Sequence, residues 1–124
     1  NALPIWRSKT TRDHLGQLRQ RLIEEGCVYL LFPEGTRSRD GTMTAFKPGL
    51  GALIAETEIP VIPCHIGGAH DAFPPQAHWP RPKRITLSIG APLSFAGVGN
   101  RPEGWREIAV ATEAAVRRLA IGPA

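Results

Sequence analysis

Six consecutive apolar residues, Cys27-Val28-Tyr29-Leu30-Leu31-Phe32, stand between a glycine and a proline. The run is the longest of its kind in the chain and far short of the roughly 20 residues a membrane-spanning helix needs. Apolar on both faces, it suits an interior strand of a largely parallel sheet covered on both sides. Ahead of it, Leu15, Leu18, Leu22 and Ile23 recur at helical spacing, with Arg12, Arg19, Arg21 and Glu24 on the opposite face. Thr10 or Thr11 is placed to cap that helix and Gly26 to stop it.

The same alternation continues. Ala2 to Trp6 reads as the remnant of a strand. Pro48 opens a short helix with Leu50, Leu53 and Ile54 on one stripe. Ile59 to Ile66 is a third apolar strand. Pro60 and Pro63 cannot donate to a ladder, so a bulge or an end is expected near Pro63. Gly67 to Pro82 reads as a long loop. Ile85, Leu87 and Ile89 alternate with Thr86 and Ser88, the pattern of a half-buried strand. A last helix begins near Asn100 to Pro102, carries Trp105, Ile108, Ala109, Thr112, Val116 and Leu119 on one stripe, and ends at Gly122-Pro123. Strand, helix, strand, helix, strand, strand, helix describes an α/β layered fold: a mostly parallel mixed sheet with helices on both faces. With 124 residues, the chain holds a single domain, 1–124.

Net charge is +4, and most of the basic residues are Arg. That favours an anionic partner such as phosphate groups, lipid headgroups or nucleic acid. Cys27 and Cys64 lie in apolar runs and read as two buried free thiols. The four His show no zinc-type pairing with them, so no metal site is expected. The last helix intersperses Glu103, Glu107 and Glu113 among its Arg, which argues against a basic recognition helix and against nucleic acid as the partner.

In open α/β sheets, ligands sit beyond the carboxyl ends of the strands. The loop leaving the Cys27–Phe32 strand gathers Glu34, Gly35, Thr36, Arg37, Ser38 and Arg39 there. Gly35 lets the backbone turn and approach a ligand. Arg37 offers a planar fork that matches two phosphate oxygens. Thr36 and Ser38 can add hydroxyl donors, and Glu34 can hold an Arg or accept from a substrate hydroxyl. The spacing points to an anion site; a solvated turn carrying the same residues is the plain alternative. Lys47 adds charge at an acceptor phosphate or simply starts a helix. His78, Trp79 and Phe73 form an apolar lip or anchor their loop.

The string Phe32-Pro33-Glu34-Gly35-Thr36-Arg37-Ser38 resembles the third motif of the glycerolipid acyltransferase family, which includes the 1-acylglycerol-3-phosphate acyltransferases. Ala2 to Arg7 is similar to the end of that family's second motif. Phe46-Lys47-Pro48-Gly49 follows at the usual interval, and Ile59-Pro60-Val61-Ile62-Pro63 looks like the fourth motif. The resemblance covers roughly residues 1 to 95. It implies a glycerol-3-phosphate-acyltransferase-like fold and transfer of a fatty acyl group from acyl-CoA or acyl-carrier protein to a hydroxyl of lysophosphatidate. No permanently bound cofactor is implied. Glu34 and Arg37 would bind the acceptor, Gly35 and Thr36 would shape the loop, and Arg7 would be a second phosphate contact. The Pro63 region would help wall the pocket. A location on the cytoplasmic face of a membrane is implied as well.

The family's general base is a His in a His-x4-Asp motif that precedes the second motif. No His here has Asp at the fifth position after it: His14 is followed there by Arg19 and His65 by His70. The chain is therefore expected to be the C-terminal part of the domain, its N-terminal part missing and its own turnover negligible, because general base catalysis is typically worth about 10²–10⁴-fold. The open alternatives are a non-catalytic phosphate- or lipid-binding module and an acyltransferase acting on glycerol 3-phosphate or another lysolipid. A sheet cut at that side is also expected to expose an edge and apolar surface, favouring self-association.

Overall fold

The computed structural model describes residues 12–35, 42–72, 78–79 and 82–121. Helix α1 (Arg12–Glu25) carries Leu15, Leu18 and Leu22 inward, as their spacing requires, and leaves Ile23 half exposed. Gly26 at φ +64° ends it, a conformation that costs a glycine nothing and other residues about 1–2 kcal/mol. The capping threonines expected ahead of it, and the strand remnant at Ala2 to Trp6, lie outside the described residues.

After Gly26 the chain runs extended. Tyr29 and Leu31 turn onto the core, and the Tyr29 hydroxyl donates to the Leu18 carbonyl at 3.1 Å. Burial pushes the Tyr29 phenol above its usual ionisation range. Val28, Leu30 and Phe32 point the other way and are exposed, Val28 by 95%. The segment expected to be an interior strand is thus covered on one face only, and it has no ladder partner among the described residues.

Helix α2 (Gly49–Ile54), opened by Pro48, lies between α1 and α4 (Pro102–Ile121). Leu53, Ile54 and Ala55 from α2 and its end, Ile108 from α4, Leu22 from α1 and Phe95 form the core. The α4 stripe is as its periodicity foretells: Ile108, Ala109, Thr112 and Val116 are buried, and Trp105 packs on the core's edge. Gly51 sits where α2 meets α4 so closely that a Cβ there would collide with the Trp105 backbone. Past α2, Glu56 takes φ +60°. Its N–H donates to the Val98 carbonyl and its carboxylate accepts the Asn100 N–H, both at 3.0 Å.

Helices and strands together are consistent with the α/β class. Among the described residues the sheet is two-stranded and antiparallel, β1 (Cys64–Gly67) against β2 (Thr86–Ile89), and the mostly parallel sheet is not seen among them. β1 starts immediately after Pro63, in keeping with the break that two prolines impose. Just upstream of it Val61 and Leu93 form an isolated antiparallel bridge, through bonds of 2.7 and 2.9 Å. The Ile85, Leu87 and Ile89 face of β2 is exposed, not buried as the alternation suggested. Both thiols are free, but Cys64 is exposed and Cys27 only partly covered, correcting the expectation that they are buried. A short helix, α3 (Ala69–Ala72), interrupts what reads in sequence as loop.

Candidate functional site

The chain turns sharply at the end of the extended segment. Gly35 N–H donates to the Phe32 carbonyl at 3.0 Å, closing a four-residue turn. Proline at its second position and glycine at its fourth are the residues such a turn favours. Gly35 itself takes φ +76°.

A second stretch, residues 43–47, is strapped against this turn. Lys47 N–H donates to the Pro33 carbonyl at 2.8 Å. Thr44 donates twice to Glu34 Oε2, from its N–H at 2.9 Å and its hydroxyl at 3.2 Å. The Lys47 side chain then passes over Gly35, and a Cβ built on that glycine would stand 2.7 Å from Lys47 Cε. Glu34, Gly35 and Lys47, all singled out from sequence, are therefore brought together. Glu34 spends one oxygen, Oε2, on Thr44.

The strap's other edge is held by α4. Phe46 N–H donates to Glu113 Oε1 at 2.9 Å, and Arg117 Nη2 donates to the Met43 carbonyl at 3.0 Å. Arg117 Nε also bonds Glu113 Oε2 at 2.9 Å. These contacts hold the Glu113 carboxyl below the usual glutamate range, the Phe46 N–H contributing most and Arg117 next. The resulting corner sets an exposed ammonium beside the turn, a point charge of the kind an oxyanion can pair with.

A family model described as "Acyltransferase" matches residues 1–67, which take in both the turn and the strap. The chain belongs to the acyltransferase family. A 1-acyl-sn-glycerol-3-phosphate acyltransferase of Limnanthes douglasii is 34% identical over 73 residues, covering 59% of this chain and 26% of the relative. One from Pseudomonas aeruginosa is 32% identical over 108 residues, 78% of this chain and 40% of the relative. The crystal structure of the 1-acyl-sn-glycerophosphate acyltransferase PlsC from Thermotoga maritima superposes with a TM-score of 0.69 at 27% identity, over 86% of this chain and 43% of that one. The acyltransferase chain described here thus spans less than half the length of these relatives.

Of the other residues assigned to the acyltransferase site, Arg7, Thr36 and Arg37 lie outside the described residues. Pro63 is buried at the start of β1, where its carbonyl accepts the Gly90 N–H at 2.8 Å and its ring lies against Gly90. His78 and Trp79 are exposed. Thr44, Glu113 and Arg117 were not singled out from sequence. The four-residue spacing of Glu113 and Arg117 signals a helical ion pair, but their contacts to Phe46 and Met43 leave no local trace. A shallow groove of about 520 Å³ between α1 and the end of α2 is lined by Arg19, Ile23 and residues 56–60, none of them a site residue. Among the described residues, no helix is long and apolar enough to cross a membrane.

Proposed function

We propose that this chain supplies the acceptor-phosphate site of an enzyme that moves a fatty acyl group from an acyl-CoA or acyl-carrier-protein thioester to the hydroxyl of lysophosphatidate. The observation that carries the reading is Lys47 lying over Gly35, next in the chain to Thr36 and Arg37. A phosphate seated there would meet the Lys47 ammonium as a point charge and the Arg37 fork as a bidentate partner. Lysophosphatidate is favoured as acceptor because the relatives from Limnanthes and Pseudomonas are named for that substrate.

The chemistry then needs only what such a clamp can give. The acceptor hydroxyl attacks the thioester carbonyl, a C–O bond forms and the C–S bond breaks, and the hydroxyl proton passes through a base to the departing thiolate. This chain's residues fix the acceptor by its phosphate, so that the attack is effectively intramolecular. None of its His has the spacing of the family's base, so the 124 residues alone are expected to show no turnover. The same reading takes Cys27–Phe32 as a strand of a mostly parallel sheet and the site as working at the cytoplasmic face of a membrane, a lipid acceptor being met at a membrane surface.

Calorimetric titration of the chain with glycerol 3-phosphate and with glycerol tests the phosphate site. Binding of the first and not the second is expected. Arg37→Ala should weaken it by about 1.5–3 kcal/mol, the worth of a hydrogen bond to a charged group. Equal affinity for both probes, or an Arg37→Ala variant that binds as tightly, would overturn the reading. A radiolabelled acyl-transfer assay on the chain tests the second half: turnover like that of a complete enzyme would refute the missing base.

A further inference from the structure

The strap at residues 43–47 is gripped alternately from two sides. Met43 and Phe46 are tied to α4, through Arg117 and Glu113. Thr44 and Lys47 are tied to the turn, through Glu34 and the Pro33 carbonyl. The α4 residues are 67 and 74 positions away in sequence, so no local preference of residues 43–47 would produce this path. An extended strand segment alternates its side chains, but here it is the backbone groups that are shared between a helix and a loop. The Glu113 carboxylate is the pivot. It accepts from Phe46 with one oxygen and from Arg117 with the other, which in turn orients Arg117 toward Met43.

We propose that Glu113 and Arg117 are positioning residues of the anion site: by fixing both ends of residues 43–46 they set where Lys47 leaves the strap and therefore where its ammonium stands over Gly35. The proposal rests on the reading of Lys47 and Gly35 as part of a phosphate site. It assigns to the C-terminal helix, outside the matched stretch 1–67, a share in acceptor binding. Neither residue touches the acceptor. Glu113→Ala removes the pivot, leaving the Phe46 N–H to water and Arg117 without its orienting partner. Glu113→Gln keeps an oxygen for the Phe46 N–H, but sets an amide NH2 where Arg117 Nε donates, so it loses both the charge and the bond to Arg117. Glu107→Ala, an exposed change on the same helix, serves as control.

The test measures glycerol 3-phosphate affinity by calorimetry and amide exchange at Thr44, Phe46 and Lys47 in the same samples. Glu113→Ala and Arg117→Ala should each weaken binding by about five- to tenfold, Glu113→Gln by about twofold, and Glu107→Ala not at all, differences that correspond to small but readable free energies. Exchange at the three strap amides should quicken in the same order while α1 amides keep their rates. Rescue by the glutamine is the mark of positioning. Wild-type affinity in Glu113→Ala, even with quickened exchange, would overturn the proposal and leave the phosphate site standing. No binding of glycerol 3-phosphate by the unaltered chain would instead sink the site reading, and the proposal with it. Should Glu113→Ala fail to fold, Glu113→Gln and Arg117→Ala decide the matter by the same measurements.

Discussion

Lys47 crosses the face of Gly35 on which any other residue would carry its side chain. Two consequences of Gly35→Ala can be separated. The backbone at φ +76° makes alanine unfavourable by about 1–2 kcal/mol, offset in part by the loss of glycine's freedom in the unfolded chain, about 0.4–1 kcal/mol. The collision is with the far end of a flexible side chain, so it costs little stability but displaces the ammonium. Urea unfolding should therefore show a net loss of about 1 kcal/mol, whereas glycerol 3-phosphate affinity falls by at least about threefold. In a Lys47→Ala background the stability loss should persist and the affinity loss should vanish. Equal affinity losses in both backgrounds would remove Lys47 from the site.

Gly51→Ala sets two larger effects against each other. In an isolated helix alanine would gain about 1 kcal/mol over glycine. At this position the new methyl meets the Trp105 backbone across the α2–α4 contact, which cannot rotate away. Overpacking typically costs about 1–3 kcal/mol and should be at the top of that range when the obstacle is main chain. Net destabilisation of about 1–2 kcal/mol is expected, a fall in Tm of several degrees in a thermal melt. A stabilised variant would mean that the helices are not held this close.

How far the sequence foretold these positions depends on whether the governing interaction is local. Leu15, Leu18 and Leu22, Pro48 and the Trp105–Val116 stripe follow from helical period and capping, and the helices stand where that reading put them. Pro63 marked the end of a ladder for the same local reason, a missing N–H. Alternation at Ile85, Leu87 and Ile89 correctly grouped residues that share a face. Whether anything covers that face is a tertiary fact, and here it is open. The Cys27–Phe32 run likewise announced extended chain without saying which neighbours pair with it. Glu34, Gly35 and Lys47 were legible as a chemical string and a nearby cation; Thr44, Glu113 and Arg117 were not, because their roles arise only once α4 closes on the strap.

The open face of Val28, Leu30 and Phe32 has a consequence for the chain in solution. Three large apolar side chains in an extended segment that has no ladder partner among the described residues offer apolar area to another copy. The 124-residue chain should self-associate in sedimentation velocity at micromolar concentration. Replacing Val28 and Leu30 together by Thr should weaken association at least about tenfold, since each large apolar side chain contributes about 1.5–3 kcal/mol when fully buried. Because Tyr29 and Leu31 carry the inward contacts, the unfolding midpoint should move little. A monomeric parent chain, or a double variant that associates equally well, would exclude this face as the cause.

The α4 clamp also gives stability a pH signature. Glu113 ionises below the usual glutamate range because the Phe46 N–H, and after it Arg117, donate to its carboxylate. A carboxyl with a folded value below its unfolded value stabilises the fold fully above the unfolded value, about pH 4.3, and the contribution disappears as pH falls through the folded value. At neutral pH the protein should therefore exceed Glu113→Gln in stability by about 1 kcal/mol, the scale of a charge-assisted bond on a partly exposed group. That margin should stay constant from pH 8 to pH 6 and shrink below about pH 4 as the wild-type carboxyl takes up its proton and comes to resemble the amide. Paired urea unfolding curves of the two chains across this range measure it. A margin that holds steady down to the acid limit, or widens there, would show that the carboxylate's charge contributes nothing to holding the strap.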